Sequence, residues 1–201
     1  MSKTKIAITG GIGSGKSTVG KLLREKGYAF YSCDEISREL FQEADYQALL
    51  LKSFPNCESS GKIDKNKLSA IVFNDRESLE KLNGLAHPRI MQRLIDCMEK
   101  EEQSIVFAEV PLLFEGDYCD LFDFVIVVER DLDLRIQAVL KRDRRSKEEV
   151  RERTRNQWDY HSIEHEELMK NSKFFRLKNN RTQTELESEL EKFLSIMKHY
   201  S

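Results

Sequence analysis

The chain has 201 residues, 39% of them hydrophobic, which suits one globular domain or one core with inserted subdomains. Its 33 basic and 35 acidic side chains nearly cancel, which argues against a polyanion as the dominant partner, although a local basic stretch could still bind a phosphate. The four cysteines form no disulfide or zinc pattern, and no apolar run is long enough for a signal peptide or a membrane span, so a cytoplasmic protein is expected.

Five short apolar runs predict the strands of a parallel sheet. Most of them are continuous rather than alternating, which is typical of strands that are covered on both faces. Helical patterns follow the first and fourth runs and close the chain, and this alternation predicts an α/β fold with a five-stranded sheet flanked by helices. The predicted strands are 5–9, 28–32, 104–110, 124–129 and 173–178, and the predicted core helices are 17–26, 132–142 and 184–197.

Two segments interrupt this alternation. About seventy residues, mostly helical in pattern, separate the second and third strands, whereas a crossover needs only about a dozen, so they predict an inserted helical subdomain. A shorter stretch, dense in arginine, follows the helix after the fourth strand. The predicted organisation is a nucleotide-binding core over 1–33, 103–140 and 159–201, a helical insert over 34–102 and an arginine-rich segment over 141–158.

Residues 10–17, GGIGSGKS, match the phosphate-binding loop pattern G-x-x-x-x-G-K-[ST]. The match follows a predicted strand and opens a predicted helix, which is the context that the pattern requires. Glycines leave room for backbone amides to turn towards a polyphosphate, and the helix start adds unpaired amides and a positive dipole end. In such a loop Lys16 reaches the β and γ phosphates of ATP, and the Ser17 hydroxyl is a ligand for Mg²⁺.

The remaining motifs favour a kinase over other nucleotide-binding proteins. A GTPase is expected to carry Asn-Lys-x-Asp, whereas the nearest string, at 66–69, is NKLS. A motor-type ATPase usually has an aspartate after an apolar strand, and here the third predicted strand ends in Glu109 and Val110. A core with one large helical insert and one small arginine-rich insert instead predicts phosphoryl transfer between two bound substrates.

Phosphoryl transfer needs a group that orients and deprotonates the attacking hydroxyl. Asp34 is the candidate because it follows the second predicted strand, at the edge where open parallel sheets bind ligands. A structural alternative is that Asp34 caps a helix beginning at Glu35, since aspartate is favoured at such caps, and the two roles are compatible.

The arginine-rich segment supplies the candidate for neutralising charge on the transferred phosphoryl group. Arg142 is chosen because it lies where the chain leaves the helix after the fourth strand. The alternative for each arginine is a solvated helix face paired with the interleaved glutamates. The other arginines of the segment are Arg144, Arg145, Arg151, Arg153 and Arg155.

Three further signals are interpreted structurally. His161 and His165 are four residues apart, but no third metal ligand accompanies them, so we interpret both as solvated helix residues. Acidic residues interrupt the arginine-rich segment and no aromatic platform accompanies it, so it is not predicted to bind nucleic acid. Trp158 is interpreted as a packing residue.

Together the motifs resemble the dephospho-CoA kinase family over nearly the whole chain. The glycine loop is shared by many families, whereas HPRI followed by VPLLFE is much more particular. The matching landmarks are TGGIGSGKST (9–18), CDEISREL (33–40), GKIDKNKLSAIVF (61–73), HPRI (87–90), VPLLFE (110–115), DFVIVV (123–128), Arg142-Asp143 and Gln157.

The resemblance implies a nucleoside-monophosphate-kinase-like fold with a CoA-binding helical insert and a lid. It implies transfer of the ATP γ-phosphate to the ribose 3′-hydroxyl of dephospho-CoA, giving CoA and ADP in the last step of coenzyme A biosynthesis. By motif position Asp34 receives the acceptor's proton, Arg142 acts from the lid, and His87 and Pro88 begin a helix that binds the acceptor. The implied ATP-binding residues are Gly11, Gly13, Ser14, Gly15, Lys16, Ser17 and Thr18.

One position departs from the family pattern. The family usually has Asp-Ala-Asp where this chain has Ser32-Cys33-Asp34, so the first carboxylate is replaced by serine. Glu109 or Glu115 is a candidate for an outer contact to Mg²⁺. Two other functions stay open from the residues alone: a kinase for another nucleoside or nucleotide, and a noncatalytic ATP-dependent switch.

Overall fold

The computed structural model describes residues 3–142, 147–155 and 157–198. The strands are β1 (Thr4–Thr9), β2 (Ala29–Ser32), β3 (Glu58–Ser59), β4 (Lys62–Ile63), β5 (Ile105–Glu109), β6 (Phe124–Glu129) and β7 (Phe174–Lys178). The helices are α1 (Lys16–Glu25), α2 (Cys33–Leu40), α3 (Ala44–Ser53), α4 (Lys65–Asn74), α5 (Arg76–Lys100), α6 (Leu132–Arg142), α7 (Lys147–Arg155), α8 (Ile163–Leu168) and α9 (Gln183–Met197), with short 3₁₀ turns at Pro55–Cys57 and Cys119–Leu121.

Five of the strands form one sheet in the order β2-β5-β1-β6-β7. β1 pairs in parallel with β5 and β6, and β6 pairs in parallel with β7. The predicted five-stranded α/β fold is therefore confirmed, and each predicted strand agrees with the observed strand to within one residue at either end. Because Thr9 pairs with Val127, the loop that leaves β1 lies at the carboxyl edge of the sheet, where such sheets bind ligands.

The helices that cover the sheet bury one apolar face each. α1 presents Val19, Leu22 and Leu23 at helical spacing. α9 begins in a capping box made by Thr182 and Glu185, which fixes its start. The core that these helices share with the strands is Ile6, Ile8, Val19, Leu22, Leu23, Ile105, Phe107, Ile126, Val128, Leu177, Leu186, Leu190, Phe193, Leu194 and Met197.

The chain divides into two compact units, one made of Met1–Tyr31 with Cys97–Ser201 and the other of Ser32–Asp96. The first unit holds the glycine loop, most of the sheet and the arginine-rich helices. The second holds α2, α3, α4 and most of α5. The functions predicted for the insert (34–102) and for the arginine-rich segment (141–158) stay predictions.

The unit Ser32–Asp96 is mostly helical, and it also contains a small hairpin. β3 and β4 pair antiparallel within a stretch whose sequence has a loop-like composition. The Asp64 side chain caps α4 by accepting hydrogen bonds from the amides of Asn66 and Lys67. The Gln47 side chain accepts a hydrogen bond from the Ile63 amide (3.1 Å), which ties the hairpin to α3.

Two helices in the arginine-rich region pack on each other and on the glycine loop. Ile136 and Val139 of α6 and Val150 of α7 form a small buried cluster, against which Ile12 packs. Within the three described stretches of the chain, no helix has the length and apolar character needed to cross a bilayer.

Candidate active site

The glycine loop joins β1 to α1 in a conformation that needs glycine at two positions. Gly13 has φ of +76° and Gly15 has φ of +104°, both in the left-handed region that side chains disfavour. Space is also limiting, because a Cβ atom on Gly13 would lie 2.5 Å from the carbonyl oxygen of Arg135, and one on Gly15 would collide with the side-chain amide of Asn179. The loop therefore fits closely against α6 and against the residue that follows β7.

Lys16 is buried at the start of α1 and reaches back over the loop. Its Nζ donates hydrogen bonds to the carbonyl oxygens of Gly10 (2.7 Å) and Gly11 (3.4 Å). Gly15 precedes the helix as its N-cap residue and offers no side chain to cap it. A buried ammonium group beside a helix N-terminus makes a positive site that suits a polyphosphate.

The three hydroxyl residues of the loop differ in exposure. Ser14 is buried, and its carbonyl oxygen accepts a hydrogen bond from Nδ2 of Asn179 (2.7 Å). Thr18 is half-buried, whereas Ser17 is exposed in the first turn of α1. Among the described residues, no group of three or more His, Cys, Asp or Glu side chains could hold a metal ion. A single accessible hydroxyl beside a phosphate site nevertheless fits Mg²⁺, which commonly keeps several waters and binds mainly through substrate phosphates.

The two glutamates predicted as outer metal contacts have different surroundings. Glu109 is buried at the end of β5, paired in register with Ile8 of β1. Glu115 accepts a hydrogen bond from the backbone amide of Trp158 (2.9 Å) and so anchors the segment after α7. Glu109 is the better placed of the two, since it ends the strand beside the one that leads into the glycine loop.

Asp34 lies in the first turn of α2, and it is exposed. The helix begins at Cys33 with Ser32 as its N-cap residue, so the interpretation of Asp34 as the cap of a helix beginning at Glu35 is wrong. The reason is that β2 passes directly into α2, which leaves the cap position to the last residue of the strand. A carboxylate in the first helical turn is favourable because of the helix dipole.

His87 and Pro88 lie in the interior of α5, so the prediction that they begin a helix is wrong. Pro88 lacks the amide that would donate to the carbonyl oxygen of Gly84, yet the 25-residue helix continues on both sides of it. Pro88 is exposed and His87 is half-buried. Burial lowers the pKa of His87, which keeps its imidazole neutral near pH 7.

The arginine candidates lie on α6, on α7 and between them. Arg142 is the last residue of α6 and is exposed, and Arg151 is exposed on α7. Arg153 and Arg155 belong to α7. Arg144, Arg145 and the landmark Asp143 lie outside the described residues.

His165 is fully buried in α8, so its interpretation as a solvated residue is wrong. His161 is exposed as expected, but it lies before α8 and not in a helix. Trp158 donates from Nε1 to Nδ1 of His165 (3.4 Å), which leaves the proton on Nε2 to face a carboxylate oxygen of Glu129 (3.2 Å). The Trp158 ring also packs on Phe114, with ring centroids 5.0 Å apart. The segment after α7 is therefore anchored to the sheet-containing unit.

Several residues that lie at the glycine loop were not identified from the sequence. Asn179 follows the last strand and donates a hydrogen bond to the carbonyl oxygen of Ser14. Tyr160 is buried with its hydroxyl beside Thr9 and Gly10, and burial raises the pKa of that hydroxyl. Arg135 is 6% exposed, and burial lowers the pKa of its guanidinium. Only Arg135 could have been noticed in the sequence, because it occupies the inward face of an amphipathic helix, where a charged residue is unusual.

These features define a class of protein. A parallel sheet whose first strand leads through a glycine loop to a helix, with a buried lysine over the loop, is the architecture of the P-loop kinases. The sequence model of the dephospho-CoA kinase family matches residues 4–185.

Individual relatives agree with this match. A dephospho-CoA kinase from Fusobacterium nucleatum subsp. nucleatum is 37% identical over 150 residues, which cover 74% of this chain and 78% of the relative. The crystal structure of a Thermus thermophilus protein has a TM-score of 0.82 and 32% identity, covering 98% of this chain and 99% of that chain. A dephospho-CoA kinase from Campylobacter jejuni has a TM-score of 0.69 and 28% identity, covering 99% and 100%. The chain belongs to the dephospho-CoA kinase family and is a phosphotransferase with ATP as co-substrate.

Proposed function

We propose that this chain transfers the γ-phosphate of ATP to the ribose 3′-hydroxyl of dephospho-CoA, giving CoA and ADP. Family membership supports the two substrates. The observation that carries the mechanism is the buried Lys16 ammonium group over the glycine loop. The hydroxyl oxygen forms a bond to the γ-phosphorus while the bond from that phosphorus to the β,γ-bridging oxygen breaks, so ADP leaves.

The loop binds the polyphosphate. When ATP enters, the Lys16 ammonium exchanges the Gly10 carbonyl for oxygens of the β and γ phosphates. The amides at the start of α1 donate to the phosphates, and the glycines keep the inner surface of the loop free of side chains. The residues proposed to bind ATP are Gly11, Gly13, Ser14, Gly15, Lys16, Ser17 and Thr18.

Mg²⁺ fits this site as the counter-charge of the phosphates. The Ser17 hydroxyl would hold the ion, with phosphate oxygens and water completing its coordination, and Glu109 is the proposed outer contact. When bound, the ion would neutralise the charge that develops on the γ-phosphoryl oxygens.

The acceptor side is proposed to use residues of the unit Ser32–Asp96. Asp34 orients the attacking hydroxyl and takes its proton, and its exposed position on α2 leaves the carboxylate accessible to a substrate. His87 and Pro88 contribute to binding of the acceptor from α5. Arg142, exposed at the end of α6, neutralises charge on the transferred group.

The first test is an ADP-release assay with Mg²⁺ and ATP in four arms: dephospho-CoA, adenosine, AMP and no acceptor. We expect only dephospho-CoA to raise the rate, with one phosphate added to it by mass spectrometry. Stimulation by adenosine or AMP instead would identify a nucleoside or nucleotide kinase. Measurable ATP binding with no stimulation by any of these acceptors would remove the kinase assignment and favour an ATP-dependent switch.

A further inference from the structure

Ile12, in the middle of the glycine loop, is held by its backbone and by its side chain. Its amide donates a hydrogen bond to Oε1 of Gln157 (2.7 Å), and its carbonyl oxygen accepts one from Nε of Arg135 (2.8 Å). Its side chain packs against the cluster formed by Ile136, Val139 and Val150. Every polar group of its backbone is thus bonded to a residue more than a hundred positions away.

Gln157 is itself fixed in place by the residues that follow it. The next residue, Trp158, bonds Glu115 through its amide and His165 through its indole. Tyr160 is buried beside Thr9 and Gly10. The amide oxygen of Gln157 therefore reaches the loop from an anchored segment rather than from a free one.

The side chain of Arg135 packs closely against the glycine loop. The guanidinium group lies against Gly11 so closely that any Cβ atom there would collide with it. Burying a guanidinium group costs free energy, and the single bond to Ile12 does not satisfy all its donors, since Nη2 is buried without a hydrogen-bond partner among the described residues. Such a costly arrangement at the loop calls for a functional reason.

We propose that Gln157 and Arg135 are positioning residues that preorganise the glycine loop for the polyphosphate by fixing the two peptide groups that flank Ile12. The proposal rests on ATP binding at this loop, as in the proposed function. A loop with fixed peptide groups loses less conformational freedom when the phosphates bind. The effect should therefore appear in polyphosphate affinity and not in acceptor affinity.

The test compares Gln157→Met with Gln137→Met. Methionine keeps the approximate size of glutamine and removes the acceptor, and Gln137 is an exposed glutamine on α6 that serves as the control. We expect Gln157→Met to raise the dissociation constants of ATP and of tripolyphosphate, measured by calorimetry, roughly three- to tenfold, the effect of one lost hydrogen bond. KM for ATP should rise equally, with KM for dephospho-CoA unchanged, and Gln137→Met should match the wild type.

A second variant, Arg135→Lys, tests the other bond. A lysine ammonium group can still donate to the Ile12 carbonyl, so Arg135→Lys should bind tripolyphosphate more tightly than Arg135→Met. The double variant Gln157→Met/Arg135→Lys should lose less affinity than the product of the two single losses, because both side chains act on the same loop segment.

Two results would overturn the proposal: an unchanged tripolyphosphate affinity in Gln157→Met, or equal increases in KM for both substrates. The first result does not depend on the proposed reaction, since calorimetry with tripolyphosphate needs no turnover. A wild-type chain that binds tripolyphosphate but transfers nothing to dephospho-CoA would contradict the proposed function and leave the loop test intact.

Discussion

The glycine loop and the unit Ser32–Asp96 present their candidate residues in opposite ways. In the loop, Lys16 is buried and bonded, and side chains from α6, from the segment after α7 and from the residue after β7 hold the backbone. In the unit Ser32–Asp96, Asp34 and Pro88 are exposed and His87 is half-buried. The proposed phosphate side is held by bonded side chains, whereas the proposed acceptor side offers accessible groups on two helices.

This difference predicts which kinetic constant each region controls. A preassembled loop provides binding energy to ATP and electrostatic stabilisation to the transition state at little cost in reorganisation. An exposed carboxylate gains its role only when the acceptor hydroxyl lies next to it. Substitutions in the loop should therefore affect ATP binding, and substitutions on α2 should affect the chemical step.

The largest effect is expected for Lys16→Met. Losing the ammonium group removes a preorganised donor to the transferred phosphoryl group, so kcat should fall on the order of a thousandfold, with weaker ATP binding. The control is Lys21→Met, which removes an exposed lysine of the same helix that pairs with Glu25 at 3.6 Å. Steady-state kinetics and calorimetry measure both effects. A Lys16→Met variant with normal kcat would show that the loop does not position the γ-phosphate.

Asp34→Asn should act on turnover alone. Removing the proposed proton acceptor should lower kcat on the order of a hundredfold, the contribution of a positioned general base, while the dissociation constant of ATP stays within about twofold. Asp45→Asn is the matched control, because Asp45 is also an exposed aspartate in the first turn of a helix, α3. Near-normal turnover in Asp34→Asn would exclude it from catalysis.

The fold could be predicted from sequence because its signals are local. The continuous apolar runs of β1, β5 and β6 mark strands, and the glycine pattern marks the turn between β1 and α1. The hairpin β3-β4 was missed because its strands have two residues each, too few to show a period. The start of α5 was misplaced because proline favours the first helical turn, a preference that the packing of a long helix overrides.

The site could be predicted only in part. Lys16 and Ser17 follow from a contiguous pattern whose chemistry is known. Arg135 and Asn179 reach the loop across more than a hundred residues of sequence, and such contacts depend on the topology of the sheet and on side-chain packing. The burial of His165 was equally hidden, because no local pattern marks it and its partner Glu129 comes from β6.

Arg142→Met should have a smaller effect than the changes at Lys16 and Asp34. One charge-assisted hydrogen bond to the transferred group corresponds to roughly a ten- to hundredfold loss in kcat, and lysine at this position should recover part of it. Arg151→Met on α7 is the comparison, since Arg151 is also exposed. If Arg151→Met lowers kcat and Arg142→Met does not, the catalytic arginine is on α7.

The smallest effect is expected from His87, whose half-buried position distinguishes it from the exposed residues of the acceptor side. Its pKa is lowered by burial in the folded chain, so below the ordinary histidine pKa of 6.5 the unfolded chain binds more protons than the folded chain. The contribution of His87 to the free energy of unfolding should therefore fall as the pH drops through this range. Above this range the contribution should not change with pH. His87→Gln should reduce that acid-induced loss of stability, because glutamine does not titrate in this range. Urea unfolding at about pH 7.5 and pH 5 measures the difference, and equal pH dependence in His87→Gln and the wild type would contradict the assignment of a neutral, half-buried imidazole.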